Sequence, residues 1–100
     1  DNALLNINGD VLDKFSIINA YPNPFNPMIN IDYNLESPQR IKLEVFNLLG
    51  ERVSIIENQL KVSGYHSVIW DASNYASGNY FVRLKLENGF SRTQIITLLK

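Results

Sequence analysis

Tyr80-Phe81-Val82-Arg83-Leu84-Lys85-Leu86-Glu87-Asn88-Gly89-Phe90 is the stretch from which the fold can be read. Tyr80, Val82, Leu84 and Leu86 alternate with Phe81, Arg83 and Lys85, the period-two pattern of a half-buried strand. Asn88-Gly89 is the strongest short signal for a hairpin turn. The run from Phe90 to Leu99 supplies the partner strand. A two-residue turn would set Lys85 opposite Arg92, Leu84 opposite Thr93, Arg83 opposite Gln94 and Val82 opposite Ile95, because loop length determines register. That register predicts a buried face of Tyr80, Val82, Leu84, Leu86 and Ile95. It gathers Arg83, Lys85 and Arg92 on the other face, where like charges directly opposite cost roughly a few tenths of a kcal/mol. Two readings follow: a solvated face softened by Glu87, or a docking face for an anionic partner.

Working outward, Ile29, Ile31, Tyr33 and Leu35 alternate with Asn30, Asp32 and Asn34, and Ser37-Pro38 ends that strand. Ile41, Leu43 and Val45 alternate with Arg40, Lys42 and Glu44. Ile41, Val45, Leu48 and Leu49 would also suit one face of a helix, but Gly50 breaks it, and Asn47-Leu48-Leu49-Gly50 reads better as a turn. Val53, Ile55 and Ile56 then fall in a third strand. Ser63-Gly64 turns the chain into His66, Val68 and Trp70, and Asp71-Ala72-Ser73-Asn74 opens a polar loop ending near Gly78. Phe15-Ser16-Ile17 predicts a short first strand. Residues 1–14 are polar and weakly patterned, a linker or the tail of a preceding domain, which leaves 15–100 as the folded unit. Six or seven short strands with turns between them and no helix predict an all-β fold, an immunoglobulin-like antiparallel β-sandwich of about seven strands.

One segment does not fit the alternation. Tyr21-Pro22-Asn23-Pro24-Phe25-Asn26-Pro27 has three prolines, which remove backbone donors and restrict φ at their own positions and at the residues before them. It is neither helix nor mid-sheet. It is a stiff ribbon carrying two rings, Tyr21 and Phe25, which either dock on a partner or plug the end of the sandwich.

One hundred residues make one domain, and a net charge of −1 argues against a nucleic-acid binder. With no cysteine there is neither disulfide nor thiolate chemistry. No apolar run approaches the ~20 residues that span a bilayer. Asp1–Lys14 has neither the basic start nor the apolar core of a secretion signal, so an exported protein would carry its signal upstream. The single histidine, His66, shares a face with Val68 and Trp70 and reads as a packed or rim residue. No nucleophile elbow, phosphate loop or dinucleotide fingerprint occurs. Asp32, Glu44 and Asp71 are expected on solvated strand faces or strand ends, and Asp71 with Ser73 and Asn74 lacks the spacing of a calcium loop. Neither enzyme activity nor a cofactor or metal is expected. Tyr21, Phe25, Tyr65, Trp70, Tyr75, Tyr80 and Phe81 offer either a sugar-stacking strip or core filling, and Trp70, on an alternating strand, belongs to the core.

The order of these segments resembles the type A C-terminal sorting domains of proteins exported by the bacterial type IX (Por) secretion system. The likeness rests on Tyr21 to Pro27, Leu43 to Val53 with its Gly50 turn, Gly64-Tyr65-His66-Ser67-Val68-Ile69-Trp70-Asp71, Ser77-Gly78-Asn79-Tyr80-Phe81, and the close Ile95-Ile96-Thr97-Leu98-Leu99-Lys100. It covers about residues 15–100. Met28-Ile29, Asn79 and the short Asp71–Gly78 loop depart from the pattern. The resemblance implies a non-catalytic sorting domain that directs an upstream passenger across the outer membrane for surface attachment. Its implied partners are the outer-membrane secretion machinery and a sortase-like processing peptidase, and its path runs from periplasm to outer membrane, cell surface or medium. The candidate recognition elements are the Tyr21–Pro27 ribbon, open to a partner through proline stiffness, and the terminal strand with Thr93, Ile95, Thr97, Leu99 and Lys100, open to strand addition. The alternative is an immunoglobulin-like accessory or carbohydrate-contacting module of a secreted enzyme.

Overall fold

The computed structural model describes residues 18–100; the strand expected at Phe15–Ile17 and the linker at 1–14 lie outside the described residues. Seven strands form two antiparallel sheets. They are β1 (Asn19–Tyr21), β2 (Met28–Leu35), β3 (Gln39–Phe46), β4 (Arg52–Lys61), β5 (Gly64–Asp71), β6 (Gly78–Leu86) and β7 (Ser91–Leu98). One sheet runs β1-β2-β5 and the other β4-β3-β6-β7.

Each apolar alternation faces the interior. Ile29, Ile31, Tyr33 and Leu35 of β2 and Trp70 of β5 form one wall; Ile41, Leu43 and Val45 of β3, Val82, Leu84 and Leu86 of β6, and Ile96 and Leu98 of β7 form the other. A continuous layer of aliphatic side chains between the sheets is the main source of stability, at ~25 cal/mol per Å² of apolar surface removed from water. Phe25, Trp70, Tyr75 and Tyr80 close one end as a ring cluster with centroids 5.3–6.4 Å apart. Tyr80, buried, and Tyr75, half-buried, send their hydroxyls to the carbonyls of Ala76 and Val53, so neither phenol is left unpaired.

The turn at Asn47–Gly50 is as expected. Gly50 takes a positive φ of 84°, and the Asn47 side-chain oxygen accepts from both Leu49 N and Glu51 N.

The β6–β7 register differs from expectation by one residue. Lys85 lies opposite Ser91, Leu84 opposite Arg92, Arg83 opposite Thr93 and Val82 opposite Gln94. Leu86 N bonds Phe90 O, so three residues, Glu87, Asn88 and Gly89, form the loop. Gly89 sits at φ 95° as a bulge residue, and Asn88 Oδ1 caps Phe90 N. Because side chains alternate, that slip exchanges the two faces of β7. Ile95, expected inside, is 54% exposed, while Ile96 and Leu98 are buried. Arg92 leaves the Arg83–Lys85 face altogether, and its guanidinium lies 5.7 Å from the Phe90 ring.

Strand β4 breaks its alternation twice. Its register against β3 shifts between Leu43 and Glu44 and again between Val45 and Phe46. The residues inserted at these bulges are Ile56 and Val53, and both pack against the core, while Ile55 faces out.

Two carboxylates expected in solvent are buried on outer faces. Glu44 is 2% exposed, clamped by Arg83 at 3.0 Å and Arg52 at 3.1 Å from the strands on either side. Burial pushes its carboxyl up, but the hydrogen bonds from Arg83 and Arg52 outweigh that and hold it below its ordinary value. Asp32 is 6% exposed and accepts from the hydroxyls of Tyr21 at 2.8 Å and Ser67 at 2.6 Å. Asp71 stays at the surface, as expected.

Candidate recognition site

The proline ribbon and the terminal strand are one structure. In an antiparallel pair alternate residues exchange hydrogen bonds; Phe90 O accepts from Leu86 N of β6, so the odd-numbered residues of β7, Thr97 among them, turn their backbone groups to the open edge of the sheet. Asn23 reaches that edge with both ends of its amide: Nδ2 donates to Ile95 O at 3.1 Å, and Oδ1 accepts from Thr97 N at 2.9 Å. Two residues on, the main chain takes over. Phe25 N donates to Thr97 O at 2.9 Å and Leu99 N donates to Phe25 O at 3.0 Å, forming a parallel bridge between Phe25 and Leu98. Prolines at 22, 24 and 27 leave the ribbon few donors to satisfy, and the Phe25 N–H between them is spent on this bridge. All three Xaa–Pro bonds are cis.

Of the two ribbon rings, Phe25 is the plug, 2% exposed and packed 6.1 Å from Trp70. Tyr21 instead stands outside, 43% exposed, with its hydroxyl on Asp32. That hydrogen bond, with burial, raises the phenol above its ordinary value. Pro27 joins the ribbon to the Trp70 strand through its carbonyl, which accepts from Ala72 N.

Thr93, Ile95 and Thr97 share the outer face of β7, and Leu99 follows them at the surface. Thr97 Oγ1 donates to Asn79 across the pair. Lys100 folds back onto the Asp71–Gly78 loop: its Nζ donates to the carbonyls of Ser73 at 2.5 Å and Tyr75 at 2.9 Å, and its N–H donates to Ser77 Oγ. Asp71 turns the start of that loop by accepting from the Ser73 N–H and hydroxyl, and these bonds lower its carboxyl below the ordinary value. The ribbon therefore covers the β7 edge from Ile95 to Leu99, occupying the backbone groups that strand addition would need there.

Residues 19–98 match the family of secretion system C-terminal sorting domains. The chain belongs to that family. The sorting domain is thus a signal for type IX secretion, in a family that is in general non-catalytic, and its destination is the cell surface or the medium. No curated protein matches the chain. Among solved structures it is similar to part of PorZ of Porphyromonas gingivalis, an essential bacterial surface component of the type-IX secretion system, with a TM-score of 0.57 and 19% identity. The likeness covers 83% of the sorting domain and 11% of PorZ, and it supports the sandwich fold.

The other sequence candidates separate. Tyr21 and Tyr65 are exposed, Phe81 lies on the outer face of the four-stranded sheet, and Phe25, Trp70, Tyr75 and Tyr80 form the interior cluster, so these seven residues do not make one continuous strip. The His66 ring stacks on Tyr33 at 5.2 Å, and its Nε2 lies 2.8 Å from Val62 O. Among the described residues no three His, Cys, Asp or Glu side chains are grouped to hold a metal. Reasoning from sequence missed Asn23 as the clamp. Its one signal was an amide placed between two prolines, where a side chain must supply the hydrogen bonds that the backbone lacks.

Proposed function

We propose that the secretion machinery of the outer membrane reads the Tyr21–Pro27 ribbon and the β7 segment of Thr93, Ile95, Thr97, Leu99 and Lys100 as one composite surface. In this reading the domain is a type A sorting domain with Tyr-Pro-Asn-Pro-Phe-Asn-Pro as its motif. It acts without catalysis, from periplasm to outer membrane, on a passenger joined upstream. A sortase-like peptidase then removes it and leaves the passenger on the surface or in the medium.

The observation that carries this reading is the pair of hydrogen bonds by which the Asn23 amide donates to Ile95 O and accepts from Thr97 N. It holds a proline-stiffened element rigid beside exposed Tyr21, Ile95 and Leu99, and a rigid displayed surface loses little entropy when it is bound.

Residues 1–100, fused to a reporter that carries an inner-membrane export signal, test it in a host with the machinery. The wild-type fusion should reach the exterior, and Asn23→Ala should hold the reporter in the periplasm while circular dichroism still reports a folded domain. Export of a folded Asn23→Ala, Ile95→Ser double variant at the wild-type level would refute the composite surface.

A further inference from the structure

Eight of the nine lysines and arginines lie among the described residues, and five of them are engaged. Arg52 and Arg83 hold Glu44, Lys61 holds Glu57 at 3.1 Å, Lys100 holds two carbonyls and Arg92 lies over the Phe90 ring. The three that remain, Arg40, Lys42 and Lys85, have no carboxylate within ion-pair distance among the described residues, and the fold makes them neighbours. Arg40 and Lys42 occupy alternate positions of β3 and so share the outer face of the four-stranded sheet. Lys42 stands directly opposite Lys85 on β6, and Asn58 of β4 stands opposite Lys42 on its other side. Together they line a groove of about 180 Å³ whose remaining wall includes Glu87 and Gly89.

Two lysines facing each other at the centre of a sheet are unfavourable, and the next row of the same face shows the usual remedy, with Glu44 opposite Arg83. Lys42 acts on Glu44 from a distance, but Arg83 and Arg52 already take that carboxylate's oxygens. Among the described residues the one acid lining the groove is Glu87, whose Oε1 accepts from Arg40 N at 2.6 Å. Three cations and one carboxylate leave a local charge of +2 from four facing groups.

We propose that this groove binds a phosphate group. A phosphate monoester carries about −1.5 to −2 at neutral pH and several acceptor oxygens. It would balance that charge, accept from the two ammonium groups and the guanidinium, and take a further hydrogen bond from the Asn58 amide. A lone carboxylate would leave a cation uncompensated. Gly89, at φ 95° with open space where a side chain would begin, leaves the mouth of the groove clear. The site lies away from the ribbon, and the inference does not depend on how the domain is sorted.

Amide chemical shifts of the ¹⁵N-labelled 100-residue chain test it at constant ionic strength. Inorganic phosphate should give saturable shifts centred on Lys42, Asn58, Lys85 and Gly89. The Lys42→Gln, Lys85→Gln double variant should bind roughly tenfold more weakly, and Arg92→Gln should bind as the wild type does. Cosedimentation with phosphatidylcholine vesicles containing phosphatidic acid, but not with phosphatidylcholine alone, would assign the phosphate to a lipid headgroup. Binding of inorganic phosphate without cosedimentation would assign it to a soluble ligand. Shifts spread over all cations and unchanged in the double variant would overturn the proposal. So would binding of a hexaglutamate peptide at the same residues with no response to phosphate.

Discussion

The four-stranded sheet has two edges, protected in opposite ways. On β4 the protection is local: two bulges twist the strand, and the Glu57–Lys61 ion pair puts charge beside it. Such devices are enough to discourage edge-to-edge pairing. On β7 the chain instead brings a separate element from the far end of the sequence and fastens it over the strand with four hydrogen bonds. A bare edge needs only interruption; the strap goes further and immobilises the segment from Ile95 to Leu99 beside exposed Tyr21, which is the rigidity that the proposed composite surface requires. The cost of holding side chains in one rotamer falls on Asn23, Phe25 and Tyr21, since the prolines between them are already restricted.

The comparison breaks most severely at Phe25. Phe25→Ala empties the sandwich end beside Trp70 and should destabilise the domain by about 3–5 kcal/mol, read as a lower denaturant midpoint. Asn23→Ala leaves the plug in place but strips Ile95 O and Thr97 N of their partners. Water can reach both groups, so the change should cost about 0.5–1.5 kcal/mol, and it should raise self-association in sedimentation velocity as the β7 edge opens. Acid tests the β4 side. The Glu44 carboxyl is depressed in the folded state, so its contribution is present in full above the ordinary value of 4.5 and is lost as pH falls through the lower folded value. Thermal melts should therefore fall below about pH 4.5, and Glu44→Gln should flatten that dependence. The smallest effect belongs to Leu60→Lys on the exposed face of β4, expected within ~0.5 kcal/mol of wild type by chemical denaturation. A large loss there would mean that β4 is not the passive edge.

Much of this architecture is legible in the alternation of residues 28–46 and 64–86, because a strand with one wet face must repeat every two residues. What local patterning misses follows from events one residue long or seventy residues apart. Gly89 adopts a bulge in place of a two-residue turn, and that alone sends Ile95 out and Ile96 in. The insertions at Val53 and Ile56 let both face the core, which strict alternation forbids. Asp32 and Glu44 look solvated beside their own neighbours; they are buried because hydroxyls or guanidinium groups from other strands close over them. The ribbon could be recognised as a stiff element at once, but its seat on Thr97 follows only from the assembled fold.

That seat has a consequence for timing. The bonds from Asn23 and Phe25 join positions separated by 72 to 74 residues, among the longest-range contacts this chain makes. Contacts so distant form only after the intervening chain is available. A ribosome or translocon that had released the first eighty residues would hold a ribbon with nowhere to lie. The clasp can therefore close only once β7 has emerged, which makes its closure a readout that the whole sandwich has been delivered.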